Sequence, residues 1–187
     1  MFFDAALMRR VMIVYHDALV QHRRRLNRLN VFPVPDADTW TNLMMTMGSV
    51  VEAINAADEQ ATFGSVVARG ALRGARGVSG VILSQILTAL TATIDDSAVG
   101  DASSLAASLN DAADFAYAAV TKPVEGTILT VARAAAEAAD VASRDSSSLA
   151  HATTAARNAA AAALVRTPDL LPELRAAGVV DAGGSGF

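Results

Sequence analysis

The 187-residue sequence contains no cysteine, only 5% aromatic residues and little net charge. The lack of cysteine excludes disulfide bonds, thiolate-bound metals and a cysteine nucleophile. The net charge of -4 gives no indication of a nucleic-acid-binding surface, and we interpret the short basic run at residues 23–25 as a solvated helix face. The N-terminus carries charged residues among apolar ones at helical spacing, which is not the pattern of a signal peptide.

Long hydrophobic runs are also missing. The apolar stretch at residues 80–94 is interrupted by serine, glutamine and threonine, so it is too short and too polar to span a bilayer. We therefore expect a cytoplasmic protein that neither spans a membrane nor binds nucleic acid. Hydrophobic residues make up 52% of the chain, many of them alanine, which favours one domain of closely packed helices.

Apolar residues recur at spacings of three and four along most of the chain, which predicts helices. We expect helices over residues 5–29, 38–56, 63–72, 79–93, 104–120, 126–142 and 147–165, then a short one capped by Thr167 and begun by Pro168. A polar connection is expected at 95–104. Because no strand or hairpin pattern occurs, the predicted fold is all-α, with about eight antiparallel helices in a closed barrel or bundle.

Residues 30–38, which we call the acidic loop, contain the first candidate site. Pro33 and Pro35 stiffen this loop, and Asp36 and Asp38 end it directly before a predicted helix. Two carboxylates separated by one residue can bind one Mg²⁺ or bridge two, and Asn30 offers a neutral oxygen ligand. The alternative is structural, with Asp38 capping the next helix and Asp36 making a turn hydrogen bond. This loop alone does not decide between the two interpretations.

Residues 74–80, the glycine loop, form the second candidate. Gly74, Gly77 and Gly80 precede an apolar helix, and glycine lets backbone N–H groups approach an anion closely. Ser79 is placed to cap that helix or to contact a phosphate. The loop lacks the ending of a P-loop, and an ordinary interhelical turn is the alternative.

Two further segments are less specific. In residues 122–127, Lys122 or Glu125 could reach a site, but a capping role for Thr127 is the simplest expectation. Asp181 opens a glycine-rich stretch, residues 181–187, which alone is as readily a loop or a linker as part of a site.

The four segments, in this order, resemble the nucleotide-binding domain of the dihydroxyacetone kinase family, and most closely its fatty acid kinase branch. The shared residues are 30–36, 38, 39, 41, 42, 74–77, 79–85, 122–127 and 181–184. The resemblance covers about residues 4–187, and the four motifs together are highly specific. It identifies residues 1–187 as a single domain, expected to be the N-terminal part of a longer protein.

The resemblance implies an eight-helix barrel that binds ATP and two Mg²⁺ ions at one end. It implies that Asn30, Asp36 and Asp38 bind the metal ions and that the two aspartates are catalytic residues. The residues it places at the nucleotide are Thr39, Asn42, Gly77, Ser79, Gly80, Thr127 and Asp181. Members of this branch transfer phosphate to a fatty acid held by a separate DegV-like carrier protein, giving an acyl phosphate, and a homodimer through downstream domains is expected.

Three positions depart from the family pattern. Ala37 replaces a glycine, which we discount because the dihydroxyacetone branch also has alanine there. Val78 replaces asparagine and loses one potential hydrogen bond, worth roughly 1 kcal/mol. Trp40 replaces glycine, and an indole turned inward would block the γ-phosphate, while a position requiring positive φ would be strained. Two alternatives follow: a catalytically weakened nucleotide- or lipid-binding regulatory module, and a dihydroxyacetone-type kinase subunit.

Overall fold

The computed structural model describes residues 3–58, 60–92, 94 and 100–187. These residues form eleven helices: α1 (Ala5–Gln21), α2 (Arg23–Leu29), α3 (Thr39–Asn55), α4 (Phe63–Gly74), α5 (Gly77–Thr91), α6 (Ala102–Ala118), α7 (Ile128–Asp145), α8 (Leu149–Val165), α9 (Thr167–Leu170), α10 (Pro172–Ala177) and α11 (Ala182–Gly186). Within those ranges the only strand-like pairing is a single bridge between Phe3 and Gly100. The predicted all-α class is therefore confirmed.

Side-chain caps fix several helix starts. Asp4 accepts a hydrogen bond from the Leu7 N–H at 2.8 Å, and Asp101 accepts one from the Ser104 N–H at 2.9 Å. Ser148 begins α8 in the same way. Each cap satisfies an N–H group that has no partner inside its helix. The expected helix end at residue 93 and the polar connection at 95–99 lie outside the described residues.

Most helix ends lie within three residues of the prediction, but two predicted helices are each divided in two. The helix expected over residues 5–29 is divided at His22, whose N–H bonds to the carbonyls of both Ala18 and Leu19. The short helix expected after residue 167 is two helices, because Pro172 cannot continue α9 and instead starts α10. Gly178 then ends α10 in the left-handed conformation, with φ 66°.

Most helices pack against their neighbours in the chain. Contacts join α3 to α4, α4 to α5, α5 to α6, α6 to α7, and α7 to α8, while α1 packs on α3. The short α11 contacts α7, α2 and α3. This arrangement is compatible with the closed ring of helices that the sequence predicts. None of the helices formed by the described residues is long and apolar enough to cross a membrane.

The core consists of several clusters that differ in composition. Large residues from α1, α3, α4 and α5 form one part, which includes Leu43 and Met47 with no exposed surface. Alanines from α6, α7 and α8 form another. Close approach is needed between α3 and α4, since a Cβ atom on Gly74 would lie 2.5 Å from the Met45 carbonyl oxygen. This approach fixes the glycine loop, which follows α4, against α3.

The C-terminal segment forms the short, packed helix α11, so the loop that was one of the alternatives left open for it is wrong. Its glycines are buried in α11, and the Tyr15 hydroxyl donates a 2.7 Å hydrogen bond to the Gly186 carbonyl. A Cβ atom on Gly186 would lie 2.4 Å from Leu43 Cδ1. The glycines here permit close packing, and that packing places Asp181 inside the molecule.

Candidate functional site

The acidic loop is held by hydrogen bonds that converge on Asp36. The buried Asn30 donates from Nδ2 to Asp36 Oδ1 at 2.9 Å, and the Asp38 N–H donates to the same oxygen at 3.3 Å. Between the two acids, Ala37 has a φ of 57°, so it lies in the left-handed region. Among the described residues it is the only non-glycine residue with positive φ. The loop thus bends sharply between the two candidate metal ligands.

The charge state of Asp36 follows from these contacts. Partial loss of hydration raises the pKa of Asp36. The hydrogen bonds from Asn30 and from Asp38 lower it by more, so the net shift of this pKa is downward. Asp36 is therefore ionised at neutral pH. The Asp38 carboxylate makes no capping bond to α3, although Asp38 holds the N-cap position. The structural alternative is right about the turn at Asp36 and wrong about the cap at Asp38.

The first turns of α3 connect the acidic loop to the glycine loop. Thr39 and Asn42 are both buried. Gly77 has a φ of 58°, and a Cβ atom there would lie 2.3 Å from Asn42 Nδ2. A Cβ atom on Gly80 would lie 2.8 Å from Thr46 Oγ1. The glycine loop can lie this close to α3 only because it lacks side chains at these positions.

Helix α5 starts without a side-chain cap. It begins at Gly77, with Arg76 in the N-cap position, so Ser79 lies within the first turn and is not the cap. The Ser79 side chain is half-buried in a cleft wall beside Val78, which is exposed. Of the two roles expected for Ser79, capping is excluded, and contact with a ligand in the cleft is the one that its position allows.

The expected cap at Thr127 is confirmed. Its Oγ1 accepts a hydrogen bond from the Leu129 N–H at 3.4 Å and donates to the Val124 carbonyl at 2.8 Å. Thr127, Lys122 and Val124 all line the cleft, whereas Glu125 does not.

Asp181 is a buried carboxylate in the same cleft, with 5% of its surface exposed. It caps α11, accepting a hydrogen bond from the Gly184 N–H at 2.7 Å. Its own N–H donates to Thr167 Oγ1 at 3.0 Å. Burial raises the pKa of Asp181 to about 6, against the lowering effect of the Gly184 and Ile128 N–H groups. Thr167 thus helps to hold Asp181 in the cleft, whereas the sequence indicated it only as the cap of a short helix.

The four sequence segments meet at one cleft of about 340 Å³. Its polar lining comes from all of the later motifs and from the start of α3: Thr39, Ser79, Thr121, Lys122, Thr127 and Asp181. Its apolar lining includes Phe32, Pro33, Val78, Ile82, Val120, Val124, Ile128 and Leu129. Asn30, Asp36, Asp38, Asn42, Gly77 and Gly80 are not among the lining residues, although they lie in or pack against the segments that form it.

The apolar walls are the part of the cleft that the motifs did not reveal. Ile82, Val120, Ile128 and Leu129 lie on or beside the helices that follow the glycine loop and the 122–127 segment. Ile82 lies within the shared stretch 79–85, and the other three are adjacent in sequence to a motif, which is the only signal that the sequence offers. The described residues contain no cluster of three or more His, Cys, Asp and Glu that could hold a metal, so a metal here would have Asp36 and Asp38 as its only carboxylate ligands.

Trp40 does not obstruct the cleft. It is the second residue of α3 and has no positive φ. Its indole N–H donates to the Leu19 carbonyl at 2.7 Å, and the Arg23 guanidinium lies 4.8 Å from the ring centroid. The ring is therefore directed to the junction of α1 and α2 and is absent from the cleft lining. Trp40 therefore neither blocks the cleft nor has a strained backbone. The residue in the left-handed conformation is Ala37, at a position where the replacement of glycine was expected to be harmless.

Fold and site together define an all-α domain in which four motif segments meet at one cleft beside a pair of acids. The model of the DAK2 domain matches residues 33–187. Protein YloV of Bacillus subtilis (strain 168) is 44% identical over 171 residues, which are 90% of this chain and 31% of that protein. The chain therefore belongs to the DAK2 domain family, which supports a kinase-family nucleotide-binding domain.

Other relatives show the same partial coverage. An uncharacterized protein of Staphylococcus saprophyticus is 40% identical over 186 residues, or 98% of this chain and 34% of that protein. An uncharacterized protein of Staphylococcus aureus (strain USA300) is 38% identical over 183 residues, or 93% of this chain and 33% of that protein. The chain thus spans about a third of the length of these curated relatives.

Proposed function

We propose that this domain binds ATP with Mg²⁺ in the cleft and acts as the kinase domain of a phosphotransferase. The γ-phosphate passes to a fatty acid presented by a separate carrier protein, which gives an acyl phosphate and ADP. The observation that carries the proposal is that one cleft is lined by the 122–127 segment, by Ser79 of the glycine loop, by Asp181 and by Thr39. Thr39 directly follows the acid pair in sequence. Because ATP is the donor, the proposal includes a cytoplasmic location.

The residues of the acidic loop fit Mg²⁺. Asp36 is ionised at neutral pH, Asp38 has no capping bond to α3, and the Asn30 amide keeps an oxygen besides the nitrogen that donates to Asp36. These are the hard oxygen ligands that Mg²⁺ takes together with substrate phosphates and water. The bound metal would neutralise phosphate charge. Asn30 holds Asp36 in place, and the bend at Ala37 keeps both acids at the start of α3.

The cleft offers different surfaces to the two ends of a nucleotide. Apolar walls from Ile82, Val120 and Leu129 suit a base, while Ser79 and Lys122 offer donors and charge to phosphates. Phosphoryl transfer depends mostly on positioning and charge neutralisation. In this proposal the protein orients the phosphates and excludes water, and the side chains form no covalent intermediate.

The acceptor assignment rests on the resemblance to the fatty acid kinase branch. A fatty acid carboxylate is already ionised at pH 7, so its oxygen can attack the γ-phosphorus without a general base. The bond from that phosphorus to the β,γ-bridging oxygen breaks, and ADP leaves with the electron pair. None of the three histidines, all of which are among the described residues, lines the cleft, which is consistent with a reaction that needs no base at this position.

The binding part of the proposal is tested by calorimetric titration of Mg–ATP into the wild-type domain and into a variant with Asp36→Asn and Asp38→Asn. The wild type should bind, and the double variant should bind at least tenfold more weakly. As a matched control, Asp140→Asn and Asp145→Asn remove two acids from α7 and should leave the affinity unchanged. A flat titration of the wild type would contradict the proposal.

The transfer part is tested with labelled γ-phosphate, using a carrier-bound fatty acid and dihydroxyacetone as separate acceptors. Label in the acyl phosphate supports the fatty acid assignment, and label in dihydroxyacetone phosphate would replace it. A regulatory module is the second candidate, favoured by Val78, which presents an apolar side chain where the family pattern has asparagine. Nucleotide binding without transfer to either acceptor, together with tighter binding by Val78→Asn, would favour that module.

A further inference from the structure

Glu125 is the centre of a hydrogen-bond network beside the cleft. Its Oε1 accepts from the Tyr117 hydroxyl of α6 at 2.8 Å, and its Oε2 accepts from the Thr130 hydroxyl of α7 at 2.5 Å. The Thr130 oxygen in turn accepts from the Gly126 N–H at 2.8 Å. One carboxylate therefore connects two helices and the backbone of the 122–127 segment. We call these four residues the Glu125 network.

The direction of each hydrogen bond matters for the segment. Thr130 has one hydroxyl hydrogen, and donating it to Glu125 leaves a lone pair for the Gly126 N–H. Gly126 has a φ of 83°, and a Cβ atom there would lie 2.9 Å from the Thr167 carbonyl oxygen. The segment is thus held from one side by the network and confined from the other by the chain at Thr167.

Tyr117 is itself fixed as a donor. The Arg133 guanidinium lies 5.3 Å from its ring centroid and pairs with Asp114. Partial burial, and then the hydrogen bond to Glu125, raise the pKa of Tyr117 to about 12. The phenol therefore keeps its hydrogen throughout the neutral range and continues to donate to Glu125.

The network and the cleft lie on different parts of one short segment. Tyr117, Glu125 and Thr130 do not line the cleft, whereas Lys122 and Thr127 do. We propose that Glu125 is a positioning residue which, through Thr130 and Tyr117, holds the 122–127 segment so that Lys122 and Thr127 face the ligand. The inference rests on the proposed function for the identity of that ligand, Mg–ATP.

The test combines amide exchange with nucleotide binding in four variants. Glu125→Gln removes one acceptor oxygen, and Thr130→Val removes the hydroxyl at nearly constant volume. Thr130→Ser keeps the hydroxyl and should retain the wild-type rate of Gly126 amide exchange and the wild-type affinity for Mg–ATP. Glu137→Gln, at an exposed acid on α7, is the control. We expect the Gly126 amide to exchange at least tenfold faster in Glu125→Gln and Thr130→Val, and Mg–ATP to bind at least fivefold more weakly.

The outcomes separate this inference from the proposed function. A merely structural role would lower the melting temperature while leaving Gly126 exchange and nucleotide affinity at wild-type values well below that temperature, and this would overturn the inference. Equal loss in Thr130→Ser and Thr130→Val would also overturn it, because the hydroxyl would then be irrelevant. If the wild type fails to bind Mg–ATP, the proposed function falls, and Gly126 exchange alone decides whether Glu125 holds the segment.

Discussion

Replacing Trp40 by phenylalanine or glycine should lower stability without improving nucleotide binding. Phenylalanine keeps a ring but removes the N–H that donates to the Leu19 carbonyl. That carbonyl keeps a second donor, the His22 N–H at 3.2 Å, so it is not left unpaired. The loss should therefore fall at the low end of the range for a buried hydrogen bond, about 1 kcal/mol.

Glycine at position 40 removes more. Beyond the hydrogen bond, it loses the stacking of Arg23 over the ring, worth about 0.5 kcal/mol at an exposed site. It also loses the packing of a half-buried aromatic side chain, about 0.8–1.5 kcal/mol if half of a full burial term is counted. We expect a total of about 2.5 kcal/mol for Trp40→Gly. For a domain of this size, each kcal/mol corresponds to a melting shift of roughly 2–4 °C.

Two measurements check this reasoning. Urea unfolding should give the order wild type, Trp40→Phe, Trp40→Gly in falling stability, and Mg–ATP calorimetry should show no gain in affinity for either variant. Because Trp40 directly follows Thr39 in α3, a modest loss of affinity in Trp40→Gly is consistent with the structure. A tenfold gain in affinity for Trp40→Gly would refute the reasoning, because it would show that the indole obstructs the cleft.

Three further predictions concern single side chains. Gly77→Ala should destabilise the domain by at least 2 kcal/mol, through both left-handed strain and collision with Asn42, whereas Gly178→Ala, left-handed but in open space, should cost only about 1 kcal/mol; equal losses in urea unfolding would contradict the packing described. Ala37→Gly should stabilise by about 0.5 kcal/mol, because relief of strain exceeds the added unfolded-state entropy; a loss in the same assay would argue against the left-handed bend. Burial raises the pKa of Asp181 from 3.8 to about 6, so its contribution to stability is greatest below 3.8 and declines as pH rises through 6. Asp181→Asn should therefore gain about 2 kcal/mol relative to wild type between pH 4.5 and 7.5, and a constant difference would contradict the burial of that charge.

Much of the fold follows from local signals in the sequence. The periodic apolar residues of α3, α4, α5 and α8 predict those helices to within a few residues. The division at His22 could not be predicted, because no proline or glycine marks it and Leu19 and Leu26, on either side of it, keep a spacing of seven that suits one continuous helix. The glycines of residues 181–187 left a loop, a linker and part of a site equally open, because their packing against Tyr15 and Leu43 depends on contacts more than 140 residues away in sequence.

The candidate site divides in a similar way. The four motifs predict the polar residues that meet at the cleft except Thr121, since each motif is local. The apolar wall from Ile82 to Val120 and Ile128 could not be predicted, because it depends on how α5, α6 and α7 come together. Nor does spacing show where a side chain points. For that reason the sequence placed strain at Trp40, whereas the left-handed conformation occurs at Ala37.

The central claim is that the acid pair and the cleft form one site for Mg–ATP, and NMR with Mn²⁺ in place of Mg²⁺ tests it most directly. Mn²⁺ should broaden the amide signals around Ala37 and Thr39, and ATP should then shift the signals of Ser79 and Ile128 in the cleft. In the Asp36→Asn, Asp38→Asn variant the broadening should disappear. Broadening centred elsewhere, such as on the acids of α7, or ATP shifts that leave Ser79 and Ile128 unchanged, would contradict the account.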